Sequence, residues 1–201
     1  MTDRPGILII AVHGTELRVG LLFPAMVLWL CLYGSGRMAG LCLAASLWHE
    51  CGHLAALYAV KLRPDAVCLG GFGIRILLPR QTRISYPRQA AVALAGPVLS
   101  GLSAGVLCAL HRPEAAAVNG ALCVLNLLPI RPLDGGQALL SGLRRRLAPE
   151  TADRILAVTS AAVLLPLTVC AVWLLCTEGY NASLLFVCLY LILLLLFQNK
   201  D

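Results

Sequence analysis

The chain has 201 residues, of which 59% are hydrophobic and 13% charged, with a net charge of +6 and a mean hydropathy of +0.83. A globular average of about 45–50% apolar and about 25% charged residues excludes an ordinary soluble domain, so the composition predicts a multi-pass membrane protein of one domain, residues 1–201. The nine cysteines are scattered, mostly in apolar runs, without a C-x-x-C pair; this gives little support to a thiolate zinc site or redox motif, and they read as small buried hydrophobes.

In chain order, residues 7–12 and 15–19 flank a His13-Gly14 break and read as two short strands. The apolar start is too short for a signal-peptide core. Apolar runs predict six spans, at about residues 20–33, 38–60, 90–110, 115–128, 155–176 and 183–197. The fold class is therefore all-α and polytopic, with a small β-hairpin or sheet at the membrane surface.

The second span carries the chemistry. His49, Glu50 and His53 interrupt an apolar helix, and residues i and i+4 share a helical face, so both imidazoles can aim at one metal ion. Glu50 sits beside them. This is the pattern in which two histidines hold Zn2+ and a glutamate takes a proton from the water on it. Cys51 is rotated by about 200° from His49 and is not counted as a ligand. Ionisable groups inside a span are expensive and point to function.

The polar stretch 61–89 contains β-rich runs around Gly70, Gly71, Phe72 and Gly73 and predicts a hairpin. Its edge can accept an extended peptide as an added strand. The third span holds Ala95-Gly96-Pro97, a helix-weakening step that membranes tolerate where neighbours satisfy the freed carbonyls. After the fourth span, Pro129 and Pro132 forbid a regular helix, and Gly135-Gly136 lets the chain turn after Asp134. A carboxylate there calls for a cavity or a cation. As a third ligand, Asp134 completes a two-histidine, one-carboxylate zinc set with a fourth position left for water. Residues 142–153, with Arg144, Arg145 and Arg146, read as a solvated interfacial loop, and Pro166 as a kink in the fifth span.

Six spans place both termini on one side. On that side lie fourteen Lys and Arg residues, and only Arg37 and Arg112 lie opposite. The bias predicts cytoplasmic termini and explains the basic charge by topology, so no nucleic-acid partner is expected. The expected partners are the lipid bilayer and a membrane-bound peptide or protein substrate.

His49-Glu50-Cys51-Gly52-His53, Ala95-Gly96-Pro97 and the run from Asn126 to Gly136 resemble the three signature segments of the site-2 protease family of intramembrane zinc metalloproteases. They are most similar to the compact bacterial branch that includes the sporulation sigma-factor-processing protease. The resemblance implies a bacterial cell-membrane enzyme with six helices, zinc on His49, His53 and Asp134, and Glu50 as general base. It further implies that Asn126 positions substrate or stabilises an oxyanion, and that the 61–89 hairpin receives substrate as a strand. The expected activity is hydrolysis of a peptide bond in or near a transmembrane segment, in a regulator or pro-sigma factor by analogy with that branch. Ser100, where many relatives carry Asn, and Gln137, where Arg is usual, depart from the pattern and bear on peripheral contacts. No inserted peptide-binding domain or regulatory tail is expected. Two other classes compete: a divalent-metal transporter, which has no need of Glu50 between the ligands, and a catalytically dead scaffold, which has no need of the intact set.

Overall fold

The computed structural model describes residues 7–12, 15–20, 36–62, 66–70, 73–77, 84–178 and 183–198. His13-Gly14, the expected first span from residue 21 onward, Gly71, Phe72 and residues 199–201 lie outside the described residues. Four strands are described: β1 (Ile7–Val12), β2 (Thr15–Gly20), β3 (Ala66–Gly70) and β4 (Gly73–Leu77). They form one sheet in sequence order, with β1 and β2 antiparallel, β2 and β3 parallel, and β3 and β4 antiparallel. Gly70 and Gly73 pair where β3 ends and β4 begins. β4 is an end strand of this order.

Six helices are described: α1 (Gly36–Ala59), α2 (Tyr86–Ala109), α3 (Pro113–Leu127), α4 (Asp134–Arg144), α5 (Pro149–Glu178) and α6 (Ser183–Gln198). α2 and α5 are long and apolar enough to cross a membrane. Large apolar side chains such as Leu102, Val106, Leu165, Val169 and Phe186 are exposed on α2, α5 and α6; lipid accommodates helices with such apolar surfaces, whereas water-facing helices carry polar ones.

The chain sorts into two compact units, residues 1–84 with 95–123, and residues 85–94 with 124–201. In the first, α1 buries the stripe Ala45, His49, His53 and Leu57, together with Gly52, at the four-residue spacing of one helical face. Gly52 is glycine because a Cβ there would lie 2.7 Å from the Ala95 carbonyl oxygen and 3.0 Å from Gly96 Cα. The backbones of α1 and α2 thus touch, the contact that small residues permit between membrane helices. α2 runs on through the buried Pro97.

In the second unit, Ile130, Leu164 and Leu191 form one core cluster and Leu140, Ala152 and Leu156 another. Two expectations change here. The stretch opening at Asp134 is the helix α4 rather than the start of a loop, and α5 begins at Pro149, leaving only residues 145–148 as a connection. The run Gly135-Gly136 reads as a turn in isolation, and three arginines read as a solvated loop. Yet Gly136, Leu140 and Ser141 are buried on one face, a helical spacing that the flanking glycines and arginines mask. α5 is assigned as one helix from Pro149 to Glu178, with Pro166 inside it.

Candidate metal centre

α1 delivers the two histidines of its buried stripe side by side. His49 is 4% and His53 7% exposed, their rings stand edge to face at 74°, and the two Nε2 atoms are 3.3 Å apart. Two nitrogens at about 2.0–2.1 Å from a tetrahedral zinc stand about 3.3–3.4 Å apart, a spacing the pair matches. The ligand atoms of His49, His53 and Asp134 all lie within 4.8 Å of one another. Among the described residues, this is the one group of three or more His, Cys, Asp or Glu able to share a metal ion. Cys51, on the other face of α1, is exposed.

α2 packs against the rings with its backbone at Gly96, where no side chain would fit. A methyl group at Gly96 would lie 2.7 Å from His49 Nε2 and closer still to His53 Nε2. One helical turn further, the Ser100 hydroxyl sits 3.0 Å from His49 Nδ1 and is fully buried. Next to that bond, Trp48 Nε1 donates to Ser103 Oγ at 2.8 Å. Neither Gly96 nor Ser100 stood out in the sequence as a site residue, because each acts across a tertiary contact; Ser100, read there as peripheral, in fact touches a candidate ligand.

Asp134 opens α4, where a carboxylate is favoured by the helix dipole. The loop before it is tied down from several sides. The Arg131 backbone N–H donates to Ser160 Oγ at 3.0 Å and Gln137 Nε2 donates to the Arg131 carbonyl at 2.7 Å. The Arg131 guanidinium pairs with Asp153, which also accepts from Arg144 at 2.8 Å. A Cβ at Gly135 would collide with the Leu127 carbonyl, and one at Gly136 with the Ile130 carbonyl, so the paired glycines let the loop lie against the first turn of α4. Gln137, the second departure noted in the sequence, is one of the ties. Glu50 and Asn126 are both half-buried, Glu50 on α1 next to His49 and Asn126 in the last turn of α3.

The site-2 protease from Methanocaldococcus jannaschii matches this chain with a TM-score of 0.67, over 92% of this chain and 91% of that one, at 17% sequence identity. The chain has the site-2 protease fold. Residues 114–167 match the model of peptidase family M50. That segment of the site-2 protease fold holds Asn126, the proline loop, Asp134 and all of α4, while the histidine motif on α1 lies outside it. No curated protein matches the chain.

Proposed function

We propose that the chain is an M50 zinc metalloendopeptidase that hydrolyses a peptide bond in or beside the transmembrane segment of a membrane-bound substrate. The observation that carries this reading is the approach of His49, His53 and Asp134 within 4.8 Å, with Glu50 in register next to the first histidine. The donor set fits zinc: two imidazoles and one carboxylate leave a fourth position. His49, His53 and Asp134 would hold the ion, which when bound polarises a carbonyl and makes water more acidic.

Glu50 then accepts a proton from the attacking water and passes it to the leaving amine nitrogen. The Asn126 amide is suited to hold the scissile carbonyl through its N–H donors. β4, as an end strand, is suited to take the substrate as an additional strand through backbone hydrogen bonds, with side-chain pockets adding selectivity. A substrate helix must unwind first, since its internal hydrogen bonds shield the carbonyls. The enzyme would reside in a cell membrane with cytoplasmic termini, in line with the distribution of Lys and Arg, and the resemblance of its motifs to the compact bacterial branch makes that membrane a bacterial one. A membrane-bound regulator or pro-sigma factor is the substrate to try first.

The test is reconstitution of the purified chain in lipid vesicles with single-span substrates. Cleavage within or next to the span, abolished by a zinc chelator and restored by added zinc, is the expected result. Metal-dependent ion flux without any cleavage would overturn it.

A further inference from the structure

α2 presents two residues one turn apart to the histidine pair: Gly96, which makes room at both Nε2 atoms, and Ser100, whose hydroxyl reaches His49 Nδ1 at 3.0 Å. We infer that Ser100 is a positioning residue, whose hydroxyl holds the His49 imidazole in the tautomer and orientation that offer Nε2 to the metal. This rests on the metal reading above.

A neutral imidazole carries one N–H, so a ring that gives Nε2 to a cation must hold its proton on Nδ1. Nδ1–H then needs an acceptor, and in a buried apolar setting an unmet donor is costly. Ser100 Oγ is that acceptor, and both partners are shut off from solvent. The hydroxyl also blocks ring rotation, because turning His49 to present Nδ1 to the metal would forfeit the bond. Fixing the ring through its second nitrogen is the general way proteins orient metal-binding histidines, and loss of such a partner costs about 10–100-fold in metal affinity or activity.

The neighbouring Trp48 to Ser103 bond supplies an internal control. It joins the same two helices through the same kind of hydroxyl, at 2.8 Å, without touching a histidine. If Ser100 served only to pin α1 to α2, Ser103 would matter equally.

Zinc affinity of the full-length protein in lipid nanodiscs is measured by competition with a chromophoric chelator, alongside thermal unfolding of each metal-free variant. Ser100→Ala is expected to weaken zinc binding by about 10–100-fold, with the metal-free protein still folded but unfolding at a lower temperature because a buried hydrogen bond is lost. Ser100→Thr, which restores a hydroxyl, is expected to recover most of that loss, and Ser103→Ala to bind like the parent. Parent-like affinity in Ser100→Ala overturns the inference, as does an equal loss in Ser103→Ala or a failure of Ser100→Thr to recover affinity. His53→Ala separates the two levels of the reading. If it binds as the parent does, the metal site itself is wrong; if it loses zinc while Ser100→Ala keeps it, only the role of Ser100 falls.

Discussion

Glu50→Gln is expected to lower peptide-bond cleavage by at least about 100-fold, the lower end of what a positioned acid-base group contributes, while leaving zinc content at the parent level. The substitution keeps the side chain's size and its half-buried place on α1 but removes the group that takes up a proton. His49 and His53 keep their 3.3 Å Nε2 separation, so the loss should fall on turnover and spare binding of both metal and substrate. Cleavage fragments resolved by mass spectrometry, with zinc measured on the same preparation, separate these effects. Parent-like cleavage by the Glu50→Gln variant would show that hydrolysis does not run through this helix.

The second large effect is expected at Gly96. Its hypothetical methyl group lies 2.7 Å from His49 Nε2 and 2.7 Å from His53 Cε1, in the space from which a cation would be coordinated. Gly96→Ala should therefore weaken zinc binding by more than about 100-fold, beyond the range of losing an outer contact, because the rings must move apart to clear the new carbon. Gly52→Ala is the contrast. There the Cβ meets the Ala95 carbonyl at 2.7 Å, a backbone atom of the helix contact and no part of the ligand set. Overpacking of this kind costs about 1–3 kcal/mol, so Gly52→Ala should lower the unfolding temperature more than it changes zinc affinity. Zinc titration and thermal unfolding of both variants check the crossed pattern; parent-like zinc affinity in Gly96→Ala would show that the ion is not held beside these rings.

The histidine stripe was legible in the sequence because helical spacing is local: residues four apart share a face whatever the rest of the chain does. Asp134 was legible for a different reason, since two prolines and two glycines break the backbone around a carboxylate and so announce an unusual site. α4 was not legible. Its glycines serve the packing of the preceding loop against its first turn, and its arginines serve Asp153, so both residue types carry a tertiary message where the eye expects a turn and a solvated run. Ser100 was hidden for the same reason. Its partner is 51 residues away in the chain, and nothing in the spacing of α2 says which of its small residues will face an imidazole.

Metal content and coordination of the purified full-length protein test the central claim most directly. X-ray absorption at the zinc edge should show one zinc per chain with nitrogen and oxygen neighbours at about 2.0–2.2 Å, and His49→Ala, His53→Ala and Asp134→Ala should each lose the bound ion. Sulfur neighbours at about 2.3 Å, pointing to some of the nine cysteines, or full zinc retention in Asp134→Ala, would contradict it.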